Sequence, residues 1–451
     1  MAKKQRIFLI SLGCSKNLVD SENILGLLEK NGFRLVSRIE EAEIGIINTC
    51  GFIQPAVEES IATIMEVAAK KKTGHLKKIF VLGCFVQRYG KKLLKEIPEV
   101  DGWLGTGEIH RIVDLMEGKL GRAPHMQISR PKYLADHRTP RTQATPFYSA
   151  YLKIAEGCSH RCSFCTIPSL RGPLRSRDPE SIILEAEAMT ARGVKEINLI
   201  AQDTTMYGRD LEGDFFLEDL LGKLAQIPGL GWIRLLYSHP SRISGRLLDL
   251  LNEENAICPY LDIPLQHVNA KVLKAMGRNL AGENPMQLIE RIRSRAPRLS
   301  LRTTLMVGFP GETDAIFEEL HRFVQTVKFD HLGTFIYSRE KGTEAARLGE
   351  VVQRKVAKER QDALMKLQAV ISKEKNRTMV GKTVLVLNEG FSPETALLLK
   401  GRTREMAPEV DGQVLINKGE GKVGEFVNVK ITEADTYDLI GEIIEKPFQK
   451  C

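Results

Sequence analysis

Three times in the first hundred residues, a short apolar run ends in glycine or in Asn-Thr and meets a cysteine at once. Ile7–Leu12 leads into Gly13-Cys14, Ile44–Ile47 into Asn48-Thr49-Cys50, and Ile79–Leu82 into Gly83-Cys84. Between the runs lie helical stretches, from Asp20 to about Gly32 and from Val57 to Ala69. Apolar runs alternating with helices predict an α/β fold with a doubly wound parallel sheet. Strands of such a sheet all point the same way, and ligands bind in the crevice beyond their carboxyl ends. Cys14, Cys50 and Cys84 are therefore expected to converge on one edge as a set of metal-ligating thiols. The competing reading is three unrelated buried thiols, because free cysteine is often a core residue.

A second thiol set is contiguous: Cys158-Ser159-His160-Arg161-Cys162-Ser163-Phe164-Cys165, a C-x3-C-x2-C spacing with no fourth cysteine close by. Three thiolates can hold three irons of a cubane 4Fe–4S cluster and leave the fourth iron open. A structural zinc site wants four protein ligands, and an electron-transfer cluster normally wants four cysteines. The alternative is a zinc ion completed by His160 or a remote residue, since soft thiolates suit both metals. The chain has 451 residues and eight cysteines. It opens Met1-Ala2-Lys3-Lys4-Gln5-Arg6 and runs straight into Ile7-Phe8-Leu9-Ile10, without the apolar stretch and cleavage site of a signal peptide. Cysteines at these spacings in such a chain argue for metal rather than disulfides. No apolar run approaches the roughly 18 residues of a membrane span. The expectation is a cytoplasmic protein without a membrane partner. A net charge of +8 permits a nucleic-acid or ribosomal partner without requiring one.

Residues 1–120 form the first unit. Residues 121–145, including Arg138-Thr139-Pro140-Arg141-Thr142, read as a linker. Residues 146–375 alternate six strand-like runs with helices, as in a partial (β/α)6 barrel. Catalytic groups in such barrels follow the strands, at the carboxyl face. The Cys158 motif, Gln202-Asp203, Ser238-His239, Gln266-His267 and Gly308-Phe309-Pro310-Gly311-Glu312 all fall there. Lys355–Arg377 reads as a long charged helix. Five short β segments punctuated by glycine and proline follow within 376–446, which predicts a small OB-like β-barrel.

Longer stretches carry a resemblance. Ser11-Leu12-Gly13-Cys14-Ser15-Lys16-Asn17, Asn48-Thr49-Cys50-Gly51-Phe52-Ile53, the run from Ala150 to Cys158, and Pro168-x-x-Arg171-Gly172-x-x-Arg175-Ser176-Arg177 are similar to the methylthiotransferase family of radical S-adenosylmethionine (SAM) enzymes. The resemblance covers the whole chain. It implies an N-terminal methylthiotransferase domain, a radical SAM core and a C-terminal TRAM domain. It also implies two 4Fe–4S clusters: one on Cys158, Cys162 and Cys165 that binds SAM and makes a deoxyadenosyl radical, and one on Cys14, Cys50 and Cys84 that holds the sulfur to be transferred. Abstraction of hydrogen from an unactivated C–H is cofactor chemistry that side chains alone cannot perform.

Gly13–Asn17 and Gly401-Arg402-Thr403-x-x-Met406-Ala407-Pro408-Glu409-Val410-Asp411-Gly412 fit the branch acting on a ribosomal protein, with Met406 where that branch usually has aspartate. The tRNA-modifying branch usually reads Gly-Cys-Gln-Met-Asn at the first site. The implied substrate is the β-carbon of an aspartate in small-subunit ribosomal protein number twelve, with a modified adenosine of tRNA as the alternative. An electron donor is implied as a further partner. Gln202, Gln266 and Arg302 are expected to touch SAM, with barrel packing or salt bridging as the competing role. His267 is expected to line the pocket or to be structural, and Glu312 to cap the following helix. Cys258 and Cys451 belong to neither set. Arg171, Arg175 and Arg177 form a basic run expected to guide an acidic substrate. Glu409 and Asp411 are expected to face a basic ribosomal protein.

Overall fold

A computed structural model describes residues 5–444 except 75, 121–124, 279 and 350. Cys451 and the last two residues expected in the C-terminal barrel lie outside the described residues. In the N-terminal unit, strands β1 (Arg6–Ser11), β2 (Arg34–Leu35), β3 (Ile44–Thr49), β4 (Lys78–Gly83), β5 (Gly102–Leu104) and β6 (His125–Gln127) form one sheet in the order β2-β1-β3-β4-β5-β6. All its pairings are parallel. Every residue of β3 and all but the first of β4 are buried, as central parallel strands covered on both faces must be. The chain leaves β1 for β2 and returns to β3, so the strand order reverses between β1 and β3. That reversal opens the crevice where open α/β sheets bind ligands.

The expected linker is corrected at its start. β6 pairs with β5 as the sheet's outer strand, so the first unit runs past residue 120. Three residues of His-Met-Gln carry too little alternation to be read as a strand. The rest of the segment is pinned to the helix Ser15–Lys30 rather than free. The Glu22 carboxylate accepts from Arg141 Nε at 2.9 Å and from the Ala144 amide at 2.7 Å.

The core begins with β7 (Ser149–Lys153) and a short antiparallel ribbon of β8 (Ala155–Glu156) and β9 (Arg175–Ser176). Strands β10 (Glu196–Ile200), β11 (Trp232–Leu235), β12 (Tyr260–Asp262), β13 (Ser300–Val307) and β14 (His331–Ile336) follow. Two parallel three-stranded sheets, β11-β10-β7 and β12-β13-β14, are joined by a bridge between Ile233 and Ile257. Together they make the open six-stranded barrel that the alternation predicts. Asp178 caps the helix Pro179–Ala191 by accepting from the Ser181 amide, with proline at the first helical position. In the C-terminal unit, β15 (Thr383–Ser392), β16 (Thr395–Arg402), β17 (Val414–Lys418), β18 (Phe426–Ala434) and β19 (Leu439–Ile443) close into a barrel in the order β15-β16-β17-β19-β18.

The C-terminal barrel closes the amino ends of the core strands. The first residues of four of them meet it. Glu196 binds Arg402 at 2.6 Å, Trp232 packs on Phe426 with ring centroids 4.8 Å apart, Tyr260 donates to Asp411 at 2.7 Å, and His331 contacts Asp411 and the Glu405 carbonyl. Arg234 adds a second cation to Glu196 at 3.0 Å. One apolar cluster then spans all three units: Val19 from the first, Tyr151, Trp232 and Tyr260 from the core, and Leu387 and Ala407 from the barrel. Asp411 is thus turned inward, with its side chain 1% exposed. The expectation that it faces a basic partner is corrected: sequence gives a carboxylate's sign but not its direction. Among the described residues, no helix is long and apolar enough to cross a membrane.

Glu196 is fully buried, and burial alone would raise its pKa. Arg402 and Arg234 outweigh that and hold it well below the usual carboxylate range. A depressed folded pKa contributes stability that is present above the unfolded value, about 4.3, and is lost as pH falls toward the folded one. Glu196→Gln leaves two buried guanidinium groups short of a counter-charge, which costs about 3–5 kcal/mol. In thermal melts, the gap between wild type and E196Q should be constant above about pH 5 and narrow as the pH is lowered below about 4.

Candidate active site at the carboxyl edges

Cys14, Cys50 and Cys84 each follow a strand of the N-terminal sheet directly. Cys14 and Cys50 flank the β1/β3 reversal, and Cys84 starts the short helix after β4. The loops carrying them are held in contact. Gly13 has φ +90°, and a Cβ there would lie 2.8 Å from Cys50 Cβ, so only glycine lets the two thiol loops approach this closely. Two asparagines lock them. Asn17 Nδ2 donates to the Leu12 carbonyl at 2.6 Å, and Asn48 Nδ2 donates to the Asn17 carbonyl and to Ser21 Oγ, each at 2.9 Å.

The three thiols feel one another and their surroundings. Burial pushes Cys84 up to about 12; Arg171 opposes the rise, while Cys14 and Cys50 add to it. Crowding around the Cys14 sulfur would raise its pKa, but Lys16 and Arg171 outweigh it and bring Cys14 below the ordinary thiol value. Cys14 is the exposed member and caps the helix Ser15–Lys30 at its amino end, where amides favour a thiolate.

The Cys158 set lies at the carboxyl end of β7, beyond the β8 ribbon. The Cys158 amide donates to the Gly172 carbonyl at 3.0 Å, and the Cys165 amide donates to the Cys162 carbonyl at 3.1 Å. Ser163 fastens the middle of the motif to the carboxyl end of the helix Ala270–Ala275, its amide donating to the Met276 carbonyl and its hydroxyl to the Ala275 carbonyl. Arg278 Nη1 lies 3.7 Å from Cys162 Sγ, and the Ile167 amide lies 3.4 Å from Cys165 Sγ. Burial pushes Cys158 up to about 11 and Cys165 up to about 12. Buried thiols of this kind give up their protons when a metal supplies the compensating charge.

His160 is taken by other partners. Its Nε2 lies 2.6 Å from Asp203 Oδ2, and its ring stacks on His239 at 3.9 Å. Among the described residues, no three His, Cys, Asp or Glu side chains close on a single metal ion.

The two thiol sets are joined by a buried charge network. Arg171 donates to Cys84 Sγ at 3.3 Å, Asn17 Oδ1 at 3.0 Å, Asp20 at 2.6 Å and Glu156 at 3.3 Å. Lys153 pairs with Asp20 and with Glu156, and Gln202 Nε2 donates to Glu156 at 2.6 Å. Burial would raise Glu156, but Lys153 and Arg171 hold it well below the carboxylate range. The basic run expected to guide a substrate is therefore corrected. Arg171 and Arg177 are buried, Arg177 is paired with Glu185, and Arg175 donates to the Arg171 and Pro173 carbonyls.

Gln202, Ser238 and Gln266 follow β10, β11 and β12, and each presents a buried oxygen without a hydrogen-bond partner. Gln266 also has φ +71°, a strained conformation of the kind that collects at binding sites. These are the polar atoms a ligand would complete. Arg302 is different. It lies third in β13, with its guanidinium on Asp262 at 3.3 Å and Asp411 at 3.4 Å, so its side chain is committed to the C-terminal barrel rather than to SAM. His267 Nδ1 accepts from the Val268 and Asn269 amides, while its buried Nε2 has no hydrogen-bond partner among the described residues and lies 3.5 Å from Glu312, which itself pairs with Arg360. Cys258 is fully buried in the shared apolar cluster.

Lys16, two residues after Cys14, is 8% exposed, and no hydrogen bond or ion pair to another described residue engages its ammonium. Its Nζ sits 3.1 Å from the centroid of the Tyr237 ring, just beyond β11. A desolvated cation–π contact contributes about 2 kcal/mol, against an effective penalty of several kcal/mol for burying an ion. Sequence reasoning did not single out Lys16, Asp20, Lys153 or Glu156: Lys153 and Glu156 are only three residues apart, but Asp20 and Arg171, which complete the network, and Tyr237, which meets Lys16, are remote from their partners in sequence.

Comparison with known proteins agrees with this geometry. Residues 6–105 match the model "Uncharacterized protein family UPF0004", residues 152–324 the radical SAM superfamily, and residues 380–444 the TRAM domain. The radical SAM match implies a 4Fe–4S cluster and SAM. The chain is 48% identical to the ribosomal protein uS12 methylthiotransferase RimO of Geotalea uraniireducens, over 98% of this chain and 99% of that one. It is 44% identical to the protein of the same name from Heliobacterium modesticaldum, over 98% and 96%. Among solved structures, the radical SAM methyltransferase TsrM of Kitasatospora setae, with cobalamin and a 4Fe–4S cluster bound, superposes with a TM-score of 0.54 at 15% identity, covering 76% of this chain and 74% of that one. The last likeness shows a shared fold. The chain belongs to the RimO family of radical SAM methylthiotransferases.

Proposed function

We propose that this enzyme carries two 4Fe–4S clusters, one on each thiol set, and adds a methylthio group to the β-carbon of an aspartate in ribosomal protein uS12. The observation that carries the reading is the pair of three-thiol sets at two carboxyl edges, tied together through Arg171. Each set is short of a fourth ligand, which suits one site for SAM and one for the sulfur. When bound, the clusters and SAM supply one-electron radical chemistry. The residues of the chain position that chemistry. Gln202, Ser238 and Gln266 offer their unpartnered oxygens to SAM. Arg171 fixes the Cys84 loop against Glu156, two residues before Cys158.

Relatives matched over their full length and named for a ribosomal protein favour this substrate over tRNA. An external electron donor and a cytoplasmic site of action, where ribosomes are assembled, belong to the same reading. With Asp411 turned inward, the C-terminal barrel is better suited to lie against ribosomal RNA, as OB-type barrels do.

Two expected outcomes test it. Anaerobically reconstituted wild type should carry about eight irons per chain. Replacing Cys14, Cys50 and Cys84 together by alanine, or Cys162 alone, should remove one cluster's worth, and only the Cys162 variant should stop forming deoxyadenosine. Cys258→Ala should change neither quantity, and a loss of iron on that change would count against the assignment. In cells lacking the enzyme, intact-mass spectrometry should show uS12 lighter by one methylthio group, with tRNA nucleosides unchanged. A loss of methylthio-adenosine with uS12 unaltered would overturn the substrate.

A further inference from the structure

Resting on the reading above, we infer that Lys16 binds the side-chain carboxylate of the aspartate being modified. Lys16 is 8% exposed, and among the described residues no carboxylate pairs with its ammonium; the charge it does feel is the Cys14 thiol, whose pKa it lowers. Three buried carboxylates of the two units are engaged by other groups: Asp20 by Lys153 and Arg171, Glu156 by the same two cations, and Asp262 by Arg302 and the Tyr237 amide. What Lys16 has is the face of Tyr237 and, from Ser15 beside it, a contact with the Tyr237 hydroxyl at 3.4 Å.

Tyr237 is built to hold that position. It has φ +61°, its amide donates to Asp262 Oδ2 at 3.0 Å, and its carbonyl accepts from the Thr204 amide at 3.0 Å. A tyrosine fixed in the left-handed region is strain kept for a purpose. The next residue, Ser238, turns a buried hydroxyl without a partner into the same edge.

The location suits the chemistry. Lys16 is rooted two residues from Cys14, in the sulfur-bearing unit, and its tip reaches the carboxyl end of a core strand, in the radical-generating unit. The carbon to be modified must be reached from both. In aspartate, that β-carbon is bonded directly to the carboxylate carbon. Gripping the carboxylate therefore fixes the reacting carbon to within one bond, between the two thiol sets. A neutral asparagine in its place would leave the ammonium without a counter-charge, and sites built to match a charged group reject analogues lacking it.

SAM also carries a carboxylate, and the Cys14 thiolates could themselves be the anionic partner, so the test separates the three. Reconstituted full-length wild type, K16M and K16Q are compared for iron content, SAM affinity and equilibrium binding of two probes: recombinant uS12, and uS12 with the target aspartate replaced by asparagine. Wild type should prefer the aspartate form by at least about tenfold. Both variants should bind the two forms alike, with iron content and SAM affinity at wild-type levels. An aspartate preference retained in K16M and K16Q overturns the inference while leaving the proposed function intact. Loss of iron would assign Lys16 to the Cys14 set, and loss of SAM affinity would assign it to the cofactor; either overturns it. Wild type that neither binds nor modifies uS12 overturns both readings.

Discussion

The arrangement of the site depends on one buried guanidinium. Arg171 reaches from the core into the N-terminal unit and binds a cysteine, an asparagine and an aspartate there, while keeping Glu156 on its own side. With Lys153 it sets two cations against the two carboxylates of Asp20 and Glu156, so the cluster is neutral as a whole. Burying four charges is tolerable only when each is paired and hydrogen-bonded. The geometry that satisfies all four admits one relative placement of the two units. The Arg88–Glu340 pair at 2.6 Å, with Glu340 also accepting from the Gln54 amide, fastens the same boundary at a second point.

The core barrel thereby divides its labour between its ends. Its carboxyl end carries the thiols and the buried oxygens of Gln202, Ser238 and Gln266, which have unmet bonding capacity, beside the strained Tyr237. At its amino end Glu196, Tyr260 and Arg302 each find a partner in the C-terminal barrel. Chemistry at one face and stability at the other is the general habit of strand–helix barrels. Here the stable face is supplied by another domain.

The parts legible in the sequence are those encoded locally. Cys14, Cys50 and Cys84 could be placed because a strand's end is visible as the end of an apolar run, and the Cys158 motif because its ligands lie within eight residues. Gln202 and Gln266 were visible for the same reason. The charge network was not, because Arg171 and Asp20 are 151 positions apart, and spacing says nothing about contacts at that range. Arg302 and Asp411 were misread together: each is a charged residue at a plausible address, and each is neutralised by the other across a domain boundary. The Arg171–Arg177 run read as a basic surface because composition does not reveal burial.

The dependence of Glu196 on Arg402 has a consequence for how the molecule is made. A nascent chain emerges amino end first, and domains fold as they appear. When β10 is ready to pair, the residue that neutralises its buried carboxylate lies 206 positions downstream and is not yet synthesised. Arg234 alone must serve until the C-terminal barrel arrives. A chain cut short by premature termination therefore retains an under-compensated acid and an uncovered Trp232–Tyr260 surface at the base of its barrel, both marks by which proteolysis distinguishes incomplete products.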